Sequence, residues 1–324
     1  MKALVCSEIT EDMSGIAVTD IDAPKPAAGD VKIRVHAASI NFPDILMCQG
    51  KYQFKPDLPF TPGMDVAGEV VELGADVTGF CVGDRVCGGA KTGGFAEFAC
   101  LAPEALRQIP DNFSYSQAAS YGAAYLTAYV ALVRRARLEA GETLLVHGAS
   151  GGVGMAAVDV GKLLGATVIA TGGSDDKLAK VKAYGADHVI NTASGFREEV
   201  KALTDGRGAD VIYDPVGGDV FDESTRCIAF DGRLLVIGFT SGRIAEVKTN
   251  IPLIKGFSVV GVRAGEYGRR FPEKGRENME AIWQWAADGK THPHIHAELP
   301  LDQVIDGMNM LTDRQVVGKV IITP

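Results

Sequence analysis

The sequence predicts an α/β protein of two domains, one β-rich and barrel-like and the other a doubly wound parallel sheet. Six apolar segments follow one another after residue 142, and helical stretches separate most of them. This alternation is typical of parallel strands that are buried on both faces. Before residue 115, short strand-like segments and glycine turns occur without long helices. A chain of 324 residues is long enough for both domains.

The β-rich part covers residues 1–120. Val31–Ala37 alternates apolar and polar residues, which favours a half-buried strand, and Val66–Gly74 is a second strand that ends in a turn. Further strands follow the glycines at 83–86 and 93–99. Because no strand here leads directly into a long helix, we interpret the region as barrel-like rather than as a series of βαβ units.

The parallel-sheet part covers residues 121–263. An alanine-rich helix over 116–138 leads into it and stops at a Glu-Ala-Gly-Glu turn. The predicted strands are 143–147, 167–171, 187–191, 210–214, 233–238 and 257–262. Residues 264–324 are interpreted as a return segment that completes the first domain, with helices at 277–288 and 301–311 and a closing strand at 318–323.

Charge and cysteine usage exclude several classes of protein. The net charge of −9 argues against broad binding to nucleic acid or to anionic membranes, because both need a positive field. The six cysteines form no CxxC pair and favour free thiols in a reducing compartment. Neither a signal peptide nor a long uncharged apolar run is evident. We therefore expect a soluble, cytoplasmic protein without a membrane segment.

The strongest local motif is a glycine-rich turn between a buried strand and a helix, over 144–157. Gly151 and Gly154 match the second and third glycines of the dinucleotide fingerprint, and Ala149 stands in place of the first. A glycine at the second position lets the backbone approach a pyrophosphate, whose charge meets the helix N-terminus. The predicted cofactor contacts in this turn are Ser150, Gly151, Gly152, Val153 and Gly154.

The end of the second parallel strand favours NADPH over NADH. Thr171 is followed by two glycines and Ser174, so no carboxylate stands at the tip to accept from a ribose hydroxyl. Ser174 and Lys177 can bind a 2′-phosphate, although the same residues suit a helix cap and a solvated first turn. The ends of later strands add Asn191, Gly217, Gly218, Gly238 and Phe239 to the predicted crevice, or form plain turns there.

Several segments together resemble the zinc-independent quinone oxidoreductase (zeta-crystallin-like) family of medium-chain dehydrogenases/reductases. The resemblance covers nearly the whole chain and implies a GroES-like domain, a Rossmann domain and a bound NADPH. The segments are 39–50 (SINFPDILMCQG), 59–68 (PFTPGMDVAG), 83–86 (GDRV), 93–98 (GGFAEF), 147–154 (HGASGGVG), 213–218 (YDPVGG) and 234–239 (LLVIGF).

The resemblance also indicates that the catalytic zinc of the related alcohol dehydrogenases is missing. Their cysteine ligand falls near Ser39–Asn41, where no cysteine occurs, and their Gly-His-Glu motif corresponds to Gly63-Met64-Asp65. A thioether cannot replace an imidazole as a zinc ligand. His292, His294 and His296 form an HxHxH run, which we interpret as a surface turn and strand rather than as a metal site.

Without a Lewis acid, an already electrophilic acceptor such as a quinone or an enone is the expected substrate. By resemblance, Asn41 lies near the nicotinamide and orients a carbonyl or the cofactor, and Tyr52 donates to the developing oxyanion. Alternatively Asn41 is a turn residue before Pro43 and Tyr52 only packs. Thr127 lies in a helix that resembles the family's cofactor-contacting segment.

Two other functions stay open at this point. One is an enoyl or alkenal reductase that acts on an α,β-unsaturated carbonyl or an acyl-CoA, for which Arg263, Arg269 and Arg270 offer a basic patch. The other is an NADPH-binding sensor without catalysis. Family members are often homodimers joined at the edge strand of the nucleotide-binding sheet, and Val259–Val262 is the candidate edge here.

Overall fold

The computed structural model describes residues 1–324, which divide into two compact units. The first unit comprises residues 1–123 and 293–324, and the second comprises residues 124–292. Residues 264–292, which we expected in the return segment, lie in the second unit instead. There Arg134 donates a hydrogen bond to Asn278 (2.7 Å) and pairs with Glu277 (2.7 Å), which ties this segment to the second unit.

The strands are β1 (Lys2–Cys6), β2 (Ile16–Asp20), β3 (Val31–Ser39), β4 (Asp65–Leu73), β5 (Arg85–Gly89), β6 (Phe98–Leu101), β7 (Leu106–Gln108), β8 (Thr143–Val146), β9 (Thr167–Gly172), β10 (His188–Asn191), β11 (Ala209–Asp214), β12 (Ile228–Val236), β13 (Ser258–Gly261), β14 (Ile295–Pro300) and β15 (Lys319–Thr323). The helices are α1 (Phe42–Cys48), α2 (Tyr115–Tyr129), α3 (Gly152–Leu163), α4 (Asp175–Tyr184), α5 (Arg197–Leu203), α6 (Asp219–Ser224), α7 (Asn250–Lys255), α8 (Ala264–Arg270), α9 (Pro272–Ala287) and α10 (Val304–Thr312). A π-helical segment, Val130–Ala136, continues α2.

The first unit is built on a seven-stranded mixed sheet with a path β14-β15-β3-β4-β5-β7, and β6 also pairs with β3. Strand β15 runs antiparallel to β3, with Ile321 opposite Ser39. The prediction that the last strand returns to the first domain is therefore confirmed. Alternating apolar residues of β3, such as Val31, Ile33 and Val35, point into one buried core.

A short helix in the first unit, α1, was not predicted from the sequence. Asn41 is its N-cap residue and Pro43 stands in its first turn, where a missing N–H costs little. The Asp44 carboxylate accepts a hydrogen bond from the backbone N–H of Asn41 at 2.8 Å, which stabilises the helix start.

The second unit is a six-stranded parallel sheet in the order β10-β9-β8-β11-β12-β13. The predicted doubly wound α/β class is confirmed, and the six predicted strands lie within a few residues of the observed ones. Strand β12 is the exception, since it starts at Ile228, five residues before the predicted start. The order reverses beside β8, which places its carboxyl end at the switch point where such sheets bind ligands.

Two findings concern the whole chain. All six cysteines are free thiols. None of the helices combines the length and the apolar character that a membrane crossing requires.

Candidate functional site

The glycine-rich turn joins β8 to α3 in the second unit. Gly148 takes a left-handed conformation (φ +55°), so the residue that requires glycine for its backbone is Gly148 and not Ala149. A Cβ on Gly154 would lie 2.4 Å from the carbonyl oxygen of Gly148 and 2.8 Å from the Cα of Ala149. Gly154 therefore allows the helix to pack directly on the turn.

The N-terminus of α3 offers backbone donors at this turn. Gly151 is the N-cap residue, and a Cβ there would reach no atom closer than 3.4 Å. Ser150, Gly151, Gly152 and Val153 are only half-buried. Because the first N–H groups of a helix have no partner within the helix, this turn suits an anion.

The tip of β9 leaves room for a charged group. A Cβ on Gly173 would meet no atom within 4 Å. The next residue, Ser174, begins α4 without a side-chain cap hydrogen bond, so its hydroxyl is not used for capping. Lys177 lies in the first turn of α4, and partial burial lowers the pKa of its ammonium group.

The side chains of Thr171 and Asn191 both have hydrogen-bond partners within the protein. The Thr171 side chain is buried, and its hydroxyl lies 2.7 Å from Nδ1 of His147. Its expected contact with the cofactor is therefore not available to the side chain. The Asn191 amide donates to Asp175 (2.7 Å) and accepts from the backbone N–H of Ala193 (3.0 Å). Both side chains hold strand ends in place.

At the carboxyl-end edge of the parallel sheet, β11 and β12 lie on the opposite side of β8 from β9. The Asp214 carboxylate accepts hydrogen bonds from the backbone N–H groups of Val216 (2.8 Å) and Gly217 (2.9 Å). Burial raises the pKa of Asp214, and these two N–H groups oppose the shift. Phe239 is exposed, and its ring lies close to Gly217, where a Cβ would come within 3.1 Å of it. Gly238 stands directly before this ring.

His147 is a residue of this region that the sequence analysis missed. Its ring is buried below the turn, with Nδ1 2.7 Å from Thr171 Oγ1 and Nε2 2.9 Å from Ser224 Oγ. Ser224 donates its own proton to the carbonyl of Val220. Ser224 therefore accepts from Nε2–H, and Nδ1 accepts from Thr171. Burial lowers the pKa of His147 to about 3, so the ring is neutral.

The predicted catalytic residues lie in the first unit. Asn41 is the N-cap residue of α1, and Tyr52 lies four residues after the helix, half-buried against the core of the first unit. Thr127, which was predicted to contact the cofactor, is a half-buried residue of α2 in the second unit.

Asn41 is part of a polar cluster assembled from four segments. Its Nδ2 donates to Asp65 (2.9 Å) and to the carbonyl of Ser39 (3.2 Å). Its Oδ1 accepts from the ammonium of Lys319 at 2.6 Å. Asp44 accepts from the backbone N–H groups of Asn41 (2.8 Å) and Gly63 (3.2 Å).

Burial shifts the pKa of each ionisable side chain in this cluster. It raises the pKa of Asp44 to about 7, against the opposing effect of the N–H of Asn41. It also raises the pKa of Asp65, while Lys319 and Asn41 act in the opposite sense. For Lys319, burial lowers the pKa, and the charges of Asp65 and Asp44 act against the shift. The neighbouring charges favour the ionised forms of Asp65 and Lys319, whereas the charge of Asp65 adds to the rise in the pKa of Asp44.

This donor set does not suit zinc. Asn41 contributes an amide, Met64 follows Gly63 in place of an imidazole, and the Lys319 ammonium lies against the amide oxygen. Zinc prefers thiolate, imidazole or carboxylate, and the cluster offers only the carboxylates of Asp44 and Asp65, beside an ammonium that would repel a second cation. Across residues 1–324 no group of three or more His, Cys, Asp or Glu side chains is placed to hold a metal.

The remaining motifs are the HxHxH run and two of the arginines. The HxHxH run is divided between the units, with His292 in the second and His294 and His296 in the first. Arg269 and Arg270 both pair with Glu266 of the same helix, at 3.0 and 2.9 Å.

Lys319 is the second important residue that sequence reasoning missed. A lysine at the start of an apolar terminal strand, Lys319–Thr323, looks like a solvated end residue. The only signal in its favour is that the following three residues are all apolar, as in a strand that is buried from its first position.

Two family models match the chain, one in each of its parts. The model for the alcohol dehydrogenase GroES-like domain matches residues 27–111. The model called zinc-binding dehydrogenase matches residues 152–287, a range that begins within the glycine-rich turn, at Gly152, and does not include Asn41 or Met64.

Relatives extend the match over almost the whole chain. The quinone oxidoreductase-like protein 2 homolog of Nematostella vectensis is 39% identical over 325 aligned residues, which cover 99% of this chain and 88% of the relative. A probable oxidoreductase from Mycobacterium abscessus has a solved structure with a TM-score of 0.91 and 34% identity, covering 100% of this chain and 99% of that one. The structure of Escherichia coli quinone oxidoreductase complexed with NADPH has a TM-score of 0.90 and 26% identity, with full coverage of both chains. This chain belongs to the quinone oxidoreductase family of medium-chain dehydrogenases/reductases.

Proposed function

We propose that this protein is an NADPH-dependent quinone oxidoreductase that needs no metal. The observation that carries the proposal is the cluster at the positions that match the zinc ligands of related enzymes. At those positions of the sequence stand Asn41, an amide, and Met64, a thioether, and the buried ammonium of Lys319 lies 2.6 Å from the amide oxygen. A site of this kind provides hydrogen-bond donors and positive charge instead of a Lewis acid.

The second unit fits NADPH. The turn at Gly148–Gly154 and the N-terminus of α3 hold the pyrophosphate, since the half-buried residues 150–153 present backbone N–H groups at the start of a helix. The open tip at Gly173, with Ser174 and Lys177, takes the 2′-phosphate, and the exposed Asp175 and Asp176 follow it in the first turn of α4, where they favour the helix dipole. When bound, the cofactor supplies a hydride.

The first unit provides the groups that act on the acceptor. A quinone that accepts a hydride develops negative charge on its oxygen. We assign Asn41 as the group that meets this oxygen through its Nδ2–H, and Tyr52 as a donor of a hydrogen bond or proton. The weaker of the two Asn41 donor contacts, to Ser39 at 3.2 Å, is the one that an acceptor oxygen can replace.

We also propose that two copies of the chain associate along β13. This strand pairs only with β12 and leaves the other side of its backbone unpaired. Phe230, Leu253 and Ile254 are exposed at 82%, 81% and 73%, and Val259 of β13 is partly exposed. An exposed apolar surface beside a free strand edge suits a symmetric partner. Sedimentation of wild type and Val259→Lys tests this association, and a monomeric wild type would contradict it.

A cytoplasmic location stays a prediction.

The first experiment is a turnover assay that follows loss of NADPH absorbance. The acceptors are a benzoquinone, an ortho-quinone, an alkenal and an acryloyl thioester, with NADH in parallel and with chelator-treated protein as the control. We expect turnover of the quinones, preference for NADPH and no loss after chelation. Turnover confined to the alkenal or thioester would identify an ene-reductase. Binding of NADPH without any turnover would identify a sensor.

A further inference from the structure

Lys319 is an ammonium enclosed in the first unit. Its side chain is buried, at 8% exposure for the residue. It donates to Asn41 Oδ1 at 2.6 Å and to the carbonyl of Ile40 at 3.2 Å. A buried lysine destabilises a protein unless its charge is compensated, so such a residue needs a reason beyond packing.

The surroundings of Lys319 allow only one orientation of the Asn41 amide. The ammonium can only donate, so Oδ1 of Asn41 must face it. An ionised Asp65 can only accept, so Nδ2 must face Asp65, as the 2.9 Å contact shows. A flipped amide would bring two donors together on one side and two acceptors on the other. The amide nitrogen therefore has a fixed position in the protein.

The ammonium also changes the chemistry of the amide. A cation at Oδ1 draws electron density from the amide and makes the N–H groups stronger donors, since neighbouring hydrogen bonds polarise one another. The effect is largest when the partner of the N–H group carries negative charge. In hydride transfer to a carbonyl acceptor, that charge develops as the reaction proceeds.

We propose that Lys319 is a positioning residue for hydride transfer, which holds and polarises Asn41 through the contact to Oδ1. The inference rests on the proposed function, because it assigns Asn41 to the acceptor. A quinone that takes up a hydride gains two electrons and one hydrogen nucleus, and the resulting oxyanion then takes a proton that comes from solvent, either directly or through Tyr52. Lys319 keeps its own proton throughout, and Asn41 only donates hydrogen bonds.

The test compares three variants with the wild type. Lys319→Met keeps the length of the side chain and removes the charge. The double variant Lys319→Met/Asp65→Asn also removes the carboxylate that would otherwise be left uncompensated, so it controls for loss of stability. Lys32→Met is the matched control, because Lys32 also lies in the first unit's sheet and pairs with Glu72 at 3.4 Å.

We expect the dissociation constant of NADPH to stay within about twofold of wild type in all three variants, because the cofactor residues lie in the other unit. We expect kcat for a benzoquinone to fall ~10-fold or more in Lys319→Met and in the double variant, with little change in KM. This is a smaller loss than the ~100-fold seen when an oxyanion donor itself is removed. Lys32→Met should retain the wild-type kcat.

A measurement on the protein without cofactor or acceptor gives an independent readout. With asparagine labelled with nitrogen-15, the side-chain amide of Asn41 should show faster hydrogen exchange and altered shifts in Lys319→Met, and Asn41→Ala identifies the signals. A kcat that returns to the wild-type value in the double variant would overturn the proposal and leave Lys319 a structural role. Unchanged Asn41 signals in Lys319→Met would overturn it as well. If the wild type turns over no quinone, the proposed function fails, whereas the amide signals still report on the contact.

Discussion

The glycine-rich turn and the Asn41 cluster are built in opposite ways. The turn is one continuous segment, Gly148–Gly154, and its main requirement is space beside the backbone. The Asn41 cluster joins residues that are as far as 278 positions apart in the chain, and it depends on buried charges. A site made from backbone is therefore visible in the sequence as a motif, whereas a site made from side chains of distant strands is not.

The largest effect of a single substitution is expected at Gly154, where the turn has no space for a side chain. Gly154→Ala places a Cβ 2.4 Å from the carbonyl of Gly148. We expect a loss of ~1–3 kcal/mol in the free energy of unfolding and loss of NADPH binding. Helix propensity alone would favour alanine by ~1 kcal/mol, so any loss reports the clash. Chemical denaturation measures the free energy of unfolding, and quenching of protein fluorescence by NADPH measures binding.

Gly151→Ala is the matched control, because its Cβ meets no atom closer than 3.4 Å. It should leave the stability within ~0.5 kcal/mol of wild type and still weaken NADPH binding ~10-fold, by keeping the pyrophosphate away from the backbone. Equal losses of stability in both variants would contradict the distinct roles of the two glycines.

The next effect concerns the choice of cofactor at the open tip of β9. Gly173→Asp introduces a carboxylate into free space. It should weaken NADPH binding at least ~10-fold and strengthen NADH binding, since a carboxylate repels the 2′-phosphate and accepts from a ribose hydroxyl. Gly173→Asn has the same size without the charge. If both variants change NADPH affinity equally, the phosphate does not bind here.

A smaller effect is expected from pH at His147. The unfolded chain takes up a proton near pH 6.5, whereas folded His147 stays neutral down to about pH 3. Acidification between these two pH values therefore favours unfolding. His147 lowers the free energy of unfolding by at most ~1.4 kcal/mol for each pH unit. His147→Gln should show a weaker loss of stability between pH 6.5 and 4, measured by urea denaturation. His188→Gln, at the start of β10, is the control and should retain the wild-type slope.

The smallest effect is expected for an exposed charge, in contrast to Lys319. Arg243 pairs with Asp219 and Asp222 at the surface of the second unit. Solvent screens such pairs, so Arg243→Ala should leave the thermal midpoint and kcat unchanged. A clear drop in the thermal midpoint would mean that the ion pairs of Arg243 stabilise the fold despite their exposure to solvent.

Much of the second unit was predictable because its signals are local. Strands β8–β13 are apolar segments bounded by turns, and the AxGxxG pattern needs only a strand before it and a helix after it. The terminal strand was also predicted correctly. The assignment of residues 264–292 was wrong, because packing against Arg134 decides it and no pattern in the segment itself does.

The sequence by itself determined the α/β class, the family and the position of the dinucleotide turn, since each depends on residues that are neighbours in the chain. Only the tertiary structure decided that Thr171 and Asn191 turn to partners inside the protein, and that His147 joins β8, β9 and α6. It also decided that Lys319 contacts Asn41, whose amide in turn donates to Asp65. The physical reason is that a buried charge is compensated by whatever the fold brings next to it, and that proximity is not encoded in the spacing of residues along the chain.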